Sequence, residues 1–252
     1  MPLLIYKPSK QMCTSIFTTI ALVGIMSNLH GAISLSQTYS SFIAFGDNLS
    51  DDGKFNGTPF EPGLPSFGGR YSNGITFAEN IAQDFTASGA YNANFAIGGA
   101  TARASNENAL PPGFGTFAGQ VTTFSSVVAN PGVSAVVGSR PLFSVLIGTN
   151  DILQNVSLPS DFDVEPGVGA ASADAVEANI RAINSINSNY NDFVVINLPD
   201  LSQMPLFQNP AFGAGALAPL AALESSGYND QLALNMNSLR SEGFNIMEFD
   251  LN

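Results

Sequence analysis

The sequence predicts a three-layer α/β/α domain with a mainly parallel, five-stranded sheet. Three observations predict it: five short apolar runs, amphipathic stretches between them, and polar, turn-rich motifs just after the runs. A strand covered by helices on both faces has no solvent side, so its apolar residues need not alternate with polar ones. Strands separated by helices form parallel units whose right-handed crossovers lay helices against one common sheet.

The runs are SFIAFG (41–46), NANFAI (92–97), LFSVLIG (142–148), FVVINL (193–198) and NIMEFD (245–250). Between the first two, Phe77, Ile81 and Phe85 recur at four-residue steps. Phe117, Val121, Phe124 and Val128 then repeat at i, i+4, i+7 and i+11. Val176, Ile180 and Ile183 precede the fourth to fifth strand interval, where Tyr228, Leu232, Met236 and Leu239 follow the same period. Such spacing draws one apolar stripe along a helix. The Phe and Met stripes read as core-facing, although a lipid-binding face would carry the same period. Segments 103–116 and 154–172 are rich in Pro, Gly, Asn and Ser and read as surface loops. With no internal repeat and no interdomain linker, a single domain is expected.

Hydrophobic residues make up 45% of the 252 and charged residues 11%, which supplies a core and excludes an acidic disordered chain. The net charge of -12 repels nucleic-acid phosphates and offers no basic patch to an anionic membrane, so no nucleic-acid partner is expected. Residues 1–36 read as a signal peptide. Lys7 and Lys10 precede the apolar run Ile16–Met26, and the small residues of Ala32–Ser34 resemble a cleavage site. That run is short for a membrane span of about 20 residues, and no later stretch is long enough. The expectation is a secreted or periplasmic domain over 37–252, without a transmembrane segment once the signal is removed. Cys13 is the only cysteine and His30 the only histidine, so a chain starting at 37 holds neither a disulfide nor an imidazole.

Open parallel sheets bind ligands at the carboxyl ends of their strands. The stretches found there are GDNLSDDG (46–53), GGAT (98–101), TND (149–151), PDLSQMP (199–205) and DLN (250–252). Alone, GGAT also reads as a glycine turn and TND as a helix cap. Asp47, Asp151, Asp200 and Asp250 all fall at strand ends, where carboxylates either complete turns or gather a divalent cation.

Taken in order, GDxLSDxG, NFAxGGAT and GTND, with GRYSNG (Gly69–Gly74) and LPDLSQMPLF (Leu198–Phe207), resemble the GDSL, or SGNH, family of ester hydrolases. The flavour is that of the secreted bacterial lipases, phospholipases and esterases, and the motifs span residues 41 to 252. The resemblance implies a flavodoxin-like sheet and a small-molecule or lipid ester as substrate, with no cofactor and no metal. It also implies an oxyanion hole made of three donors: the backbone N–H of Asn48 at the nucleophile position, the backbone N–H of Gly99, and the side-chain amide of Asn150. Gly98 is the alternative second donor, and Asp47 and Asp151 flank the set.

Two departures follow from the same resemblance. The family nucleophile is the serine of GDS, and this chain has Asn48 there. An amide cannot be activated by losing a proton as a hydroxyl can. Ser50, two residues on, reads as a turn residue. The family base comes from a DxxH motif beyond the fifth strand, and Asp250 has no histidine three residues later. The resemblance therefore implies truncation before that motif and before a final covering helix, and a chain without serine-type hydrolysis. Two alternatives stand beside it: a non-catalytic binder of acyl chains or glycans, and a metal-dependent site built from the four strand-end aspartates.

Overall fold

A computed structural model describes residues 34–104, 115–157, 165–208 and 214–251. Cys13, His30 and all but the last three residues of the expected signal peptide lie outside the described residues. The chain divides into two units, Met1–Ser34 and Leu35–Asn252. The second unit carries the sheet.

It opens with a short helix α1 (Leu35–Thr38), strand β1 (Ser41–Gly46), α2 (Phe77–Ser88) and β2 (Tyr91–Asn94). Helices α3 (Phe117–Val128) and α4 (Pro131–Val137) lead to β3 (Pro141–Leu146). Next come α5 (Thr149–Ser157), α6 (Val168–Ile186) and β4 (Asp192–Ile196). A 3-10 turn (Leu201–Gln203), a short α7 (Pro205–Gln208) and the long α8 (Ala214–Ser241) precede β5 (Asn245–Phe249).

All five strands pair in parallel in the order β2-β1-β3-β4-β5. The chain steps outward from β1 to β2, then returns to the other side of β1 at β3. That reversal is the topological switch point where open α/β sheets form their ligand crevice. It also sorts the helices, because right-handed crossovers in opposite directions fall on opposite faces. On one face Ile43, Phe45, Phe143, Val145, Phe193 and Val195 pack with Phe124, Ile180 and Met236 from the later helices. On the other, Phe42, Ala44 and Leu142 pack with Ala78 and Phe85 of α2. The apolar runs are continuous because both faces are covered.

Phe143 lies at the centre of the larger cluster with no exposed surface. Its ring stacks on Phe193 at 5.1 Å and meets Tyr190 at 5.5 Å and Phe124 at 5.7 Å, edge on.

Some boundaries differ from the sequence reading. The β2 ladder covers Tyr91–Asn94, although Phe95 and Ile97 still donate their N–H groups to Ala44 O and Gly46 O at 2.7 and 3.2 Å. The segment 154–172 is not one loop: α5 runs on to Ser157 and α6 starts at Val168. Its Asn and Ser residues are tolerated because tertiary packing outweighs their weak helix propensity. Helix α4 has no counterpart in the sequence pattern because seven residues are too few to display a period. Its start is nevertheless encoded, with Pro131 in the first turn and the Asn130 side chain accepting the Gly132 N–H at 2.9 Å. Edge strand β5 buries only Ile246, and Met247 and Phe249 stay exposed. No helix among the described residues is long and apolar enough to cross a membrane.

Removing the central ring tests this core. Phe143→Ala should lower unfolding free energy by about 3–5 kcal/mol in urea titration, and a loss below about 1 kcal/mol would show that the ring does not organise the cluster.

Candidate functional site

The carboxyl ends of β1, β2 and β3 are brought together by register. Gly46 pairs with Leu146, and Ala44 with both Asn94 and Ser144, so the three strand-end loops emerge side by side. Gly46 itself is clamped by the α3 side chain of Gln120, whose Oε1 accepts the Gly46 N–H at 3.0 Å while its Nε2 donates to Gly46 O at 2.8 Å. This fixes the residue from which the first loop turns.

Asp47 through Asp51 then make one tight turn, with the N–H groups of Ser50 and Asp51 both returning to Asp47 O at 3.1 Å. At its crest the half-buried Asn48 points its amide oxygen at the neighbouring loops. Asn48 Oδ1 accepts the backbone N–H of Gly99 at 3.0 Å and the side-chain Nδ2–H of Asn150 at 2.8 Å. The second N–H of Asn150 donates to Ala100 O at 2.8 Å. That bond settles the orientation of the Asn150 amide, since only its nitrogen can face a carbonyl. Asn48, Gly99 and Asn150, named from the sequence, therefore meet at a single oxygen atom.

Gly98 does not join them. Its N–H donates to Asp51 Oδ2 at 2.6 Å, and a Cβ on it would stand 2.3 Å from the Tyr71 ring. Gly99 follows with φ of +79°, a left-handed conformation that glycine adopts without strain and that turns its N–H toward Asn48. Asp51 Oδ1 also accepts from Gly53 and Lys54 N–H at 2.9 and 3.0 Å, so one carboxylate closes the first loop on itself and, through Gly98, ties it to the second. Asp151 ties the second loop to α5: its carboxylate takes the Ala102 N–H at 2.7 Å and the Arg103 N–H at 3.0 Å. Burial raises the Asp151 pKa, and these backbone donors temper the rise.

Asp47 is fully buried beneath the turn. Oδ1 accepts the Leu49 N–H at 3.2 Å, whereas Oδ2 and the nearby Thr149 Oγ1 lack a partner of good geometry among the described residues. Burial pushes the Asp47 pKa up to about 7; the Leu49 donor opposes this, the Asp151 charge adds to it, and Thr149 opposes it weakly. Tyr228 closes the floor, donating its hydroxyl to Ile147 O at 2.6 Å.

The other strand-end aspartates are engaged elsewhere. Asp200 caps the 3-10 turn through Ser202 N–H, and Asp250 accepts from Asn197 Nδ2 at 2.7 Å. Among the described residues no three His, Cys, Asp or Glu side chains group as a metal site would require. Ser50 Oγ is buried beside Gly46 and has no hydrogen-bond partner among the described residues. Gln120 and Asp51 were missed in the sequence. Gln120 carried a signal, being a polar residue on the apolar stripe of Phe117, Val121 and Phe124; Asp51 carried the weaker one of an Asp two residues before a Gly.

Two N–H donors aimed at one oxygen can hold a carbonyl or an oxyanion. The buried Asp47 makes a separate, measurable mark. Its folded pKa near 7 exceeds the ordinary value of 3.8, so its contribution to stability is full below about pH 4 and is lost as pH rises through 7. The loss at high pH is on the order of 4 kcal/mol. Melting temperature should fall between pH 5 and 8, and Asp47→Asn should flatten that fall; equal slopes for both proteins would show that Asp47 titrates normally.

A protein named phosphatidylcholine-sterol acyltransferase, from Aeromonas hydrophila, is 29% identical over 225 residues, covering 86% of this chain and 60% of that protein. An acetylesterase from Thermothelomyces thermophilus is 28% identical over 207 residues, covering 78% of this chain and 65% of that one. The chain thus spans less than two thirds of the length of either relative. A solved acetyl xylan esterase from Geobacillus stearothermophilus superposes with a TM-score of 0.34 at 14% identity, over 76% of this chain and 72% of its own. The family model described as GDSL-like lipase/acylhydrolase matches residues 42–252, from the first core residues of β1 through the last strand, and the chain belongs to that family.

Proposed function

We propose that this chain carries the ester-binding site of its family in a form that does not perform serine-type hydrolysis. The observation that carries the reading is the position of Asn48 Oδ1, held by both Gly99 N–H and Asn150 Nδ2–H. In ester hydrolysis a hydroxyl oxygen attacks the carbonyl carbon, and preorganised donors stabilise the oxygen that becomes negative. Here the donors are kept. The attacking atom is not, because an amide has no proton whose loss would create a nucleophile.

The amide does more than fail to attack. It supplies a neutral carbonyl oxygen to the donors an ester would need, so substrate must displace Asn48 before it can be polarised. A donor of this kind contributes about 2.7–4 kcal/mol to transition-state stabilisation when it is free to act. Small-molecule or lipid esters remain the class of ligand that the family membership supports.

Purified protein should release nitrophenol from a short-chain nitrophenyl ester no faster than buffer and should not be labelled by a fluorophosphonate. Turnover well above background that Asn150→Ala abolishes would overturn the reading.

A further inference from the structure

Between Asp51 and Tyr71 the chain makes an excursion that the site does not use. Both ends of it are fastened to Gly98, Asp51 through its hydrogen bond and Tyr71 through ring contact, so the excursion is anchored one residue from the Gly99 donor. Phe60, Leu64 and Phe67 lie along it with 58%, 97% and 54% of their surface exposed, and Leu49 and Ile75 flank it, also exposed. Isolated exposed apolar residues need no explanation, but three large ones on a single loop beside a ligand site, with two more flanking it, do.

The loop is ordered by its own bonds. Thr58 N–H donates to Phe55 O at 2.9 Å, Ser66 N–H to Gly63 O at 3.1 Å and Phe67 N–H to Ser72 O at 2.9 Å. Pro59, Pro62 and Pro65 fix three more φ angles. Arg70 is held bidentately by Glu79, and Lys54 by Asp52. From Phe55 to Phe67 the only charged residue is Glu61, whose Oε2 accepts the Gly57 N–H at 2.8 Å. The loop therefore presents apolar side chains at little further ordering cost.

We propose that this loop docks on a neutral, zwitterionic lipid surface, with Phe60, Leu64 and Phe67 inserting among the acyl chains and bringing the Gly99 and Asn150 donors over it. Two features select that occupant. Leu64 projects almost wholly free of the fold, a convex tip that suits a fluid phase better than a shaped protein groove. The net charge of -12, with no free cation on the loop, opposes an anionic bilayer. The choice of lipid rests on the ester-site reading, whereas docking itself is measured without ester turnover.

The test is co-sedimentation with phosphatidylcholine vesicles. The protein should partition onto them, more weakly when phosphatidylserine is added, and Phe60→Ser/Leu64→Ser/Phe67→Ser should lower the partition coefficient about 100-fold or more. Because Leu64 is almost wholly exposed and the ring contacts of Phe60 and Phe67, to Phe55 and to the Arg70 guanidinium, lie within the loop, the triple variant should keep the parent melting temperature to within a few degrees, which separates lost docking from lost folding. Failure to bind neutral vesicles, or equal binding by the triple variant, overturns the proposal. Concentration-dependent dimerisation removed by the triple variant, without vesicle binding, overturns it in favour of self-association.

Discussion

One oxygen atom, Asn48 Oδ1, receives hydrogen bonds from two other strand-end segments, and the arrangement of the site depends on those bonds being possible. They require β1 to lie between β2 and β3 with Gly46 level with Leu146. They also require that each loop be tied to its neighbour. Gln120 holds the last residue of β1, Asp51 joins the first loop to Gly98, and Asp151 joins α5 to the segment after Gly99. Each tie uses a buried carboxylate or amide on backbone groups, which would otherwise carry the cost of unmet hydrogen bonds. The sheet sets the spacing, and these side chains set the aim.

The same region departs from what stability alone would select. Asp47 Oδ2, Ser50 Oγ, Ser144 Oγ, Thr149 Oγ1 and Gln154 Nε2 are buried without partners of good geometry among the described residues, and three of the five lie in the strand-end segments of β1 and β3. A carboxyl group fully removed from water is expensive unless it is neutral or well bonded. Local conflicts of this kind gather where a fold was shaped around a ligand rather than around its own packing. Asn48 relieves part of the tension by filling two donors with an atom of the chain itself.

The strands were legible because parallel strands with two covered faces leave continuous apolar runs, and the long helices because their stripes repeat. The site residues were legible through order along the chain: GDNLSDDG, GGAT and TND mark three strand ends whose adjacency only the sheet topology supplies. Other features were not. Helix α4 is too short to show a period, and the Gly98 and Gly99 roles divide on a single φ angle and on the Asp51 carboxylate. That Asn48 would turn its oxygen inward, rather than leave the donors to solvent, depends on side-chain geometry that no motif encodes. The apolar loop from Phe55 to Phe67 was invisible for a related reason: sequence displays hydrophobic residues without saying which remain outside.

The central claim is that the Asn48 side chain is the resident acceptor for Gly99 N–H and Asn150 Nδ2–H. The most direct measurement is NMR amide exchange and chemical shift at those two groups, in the parent protein and in Asn48→Ala. The account expects Gly99 N–H to be protected in the parent and to exchange at least about tenfold faster in the variant, equivalent to about 1.4 kcal/mol. The Asn150 side-chain protons should shift while amides in β3 and β4 keep their rates. A Gly99 amide that exchanges freely in the parent, or is unchanged by the substitution, would contradict it.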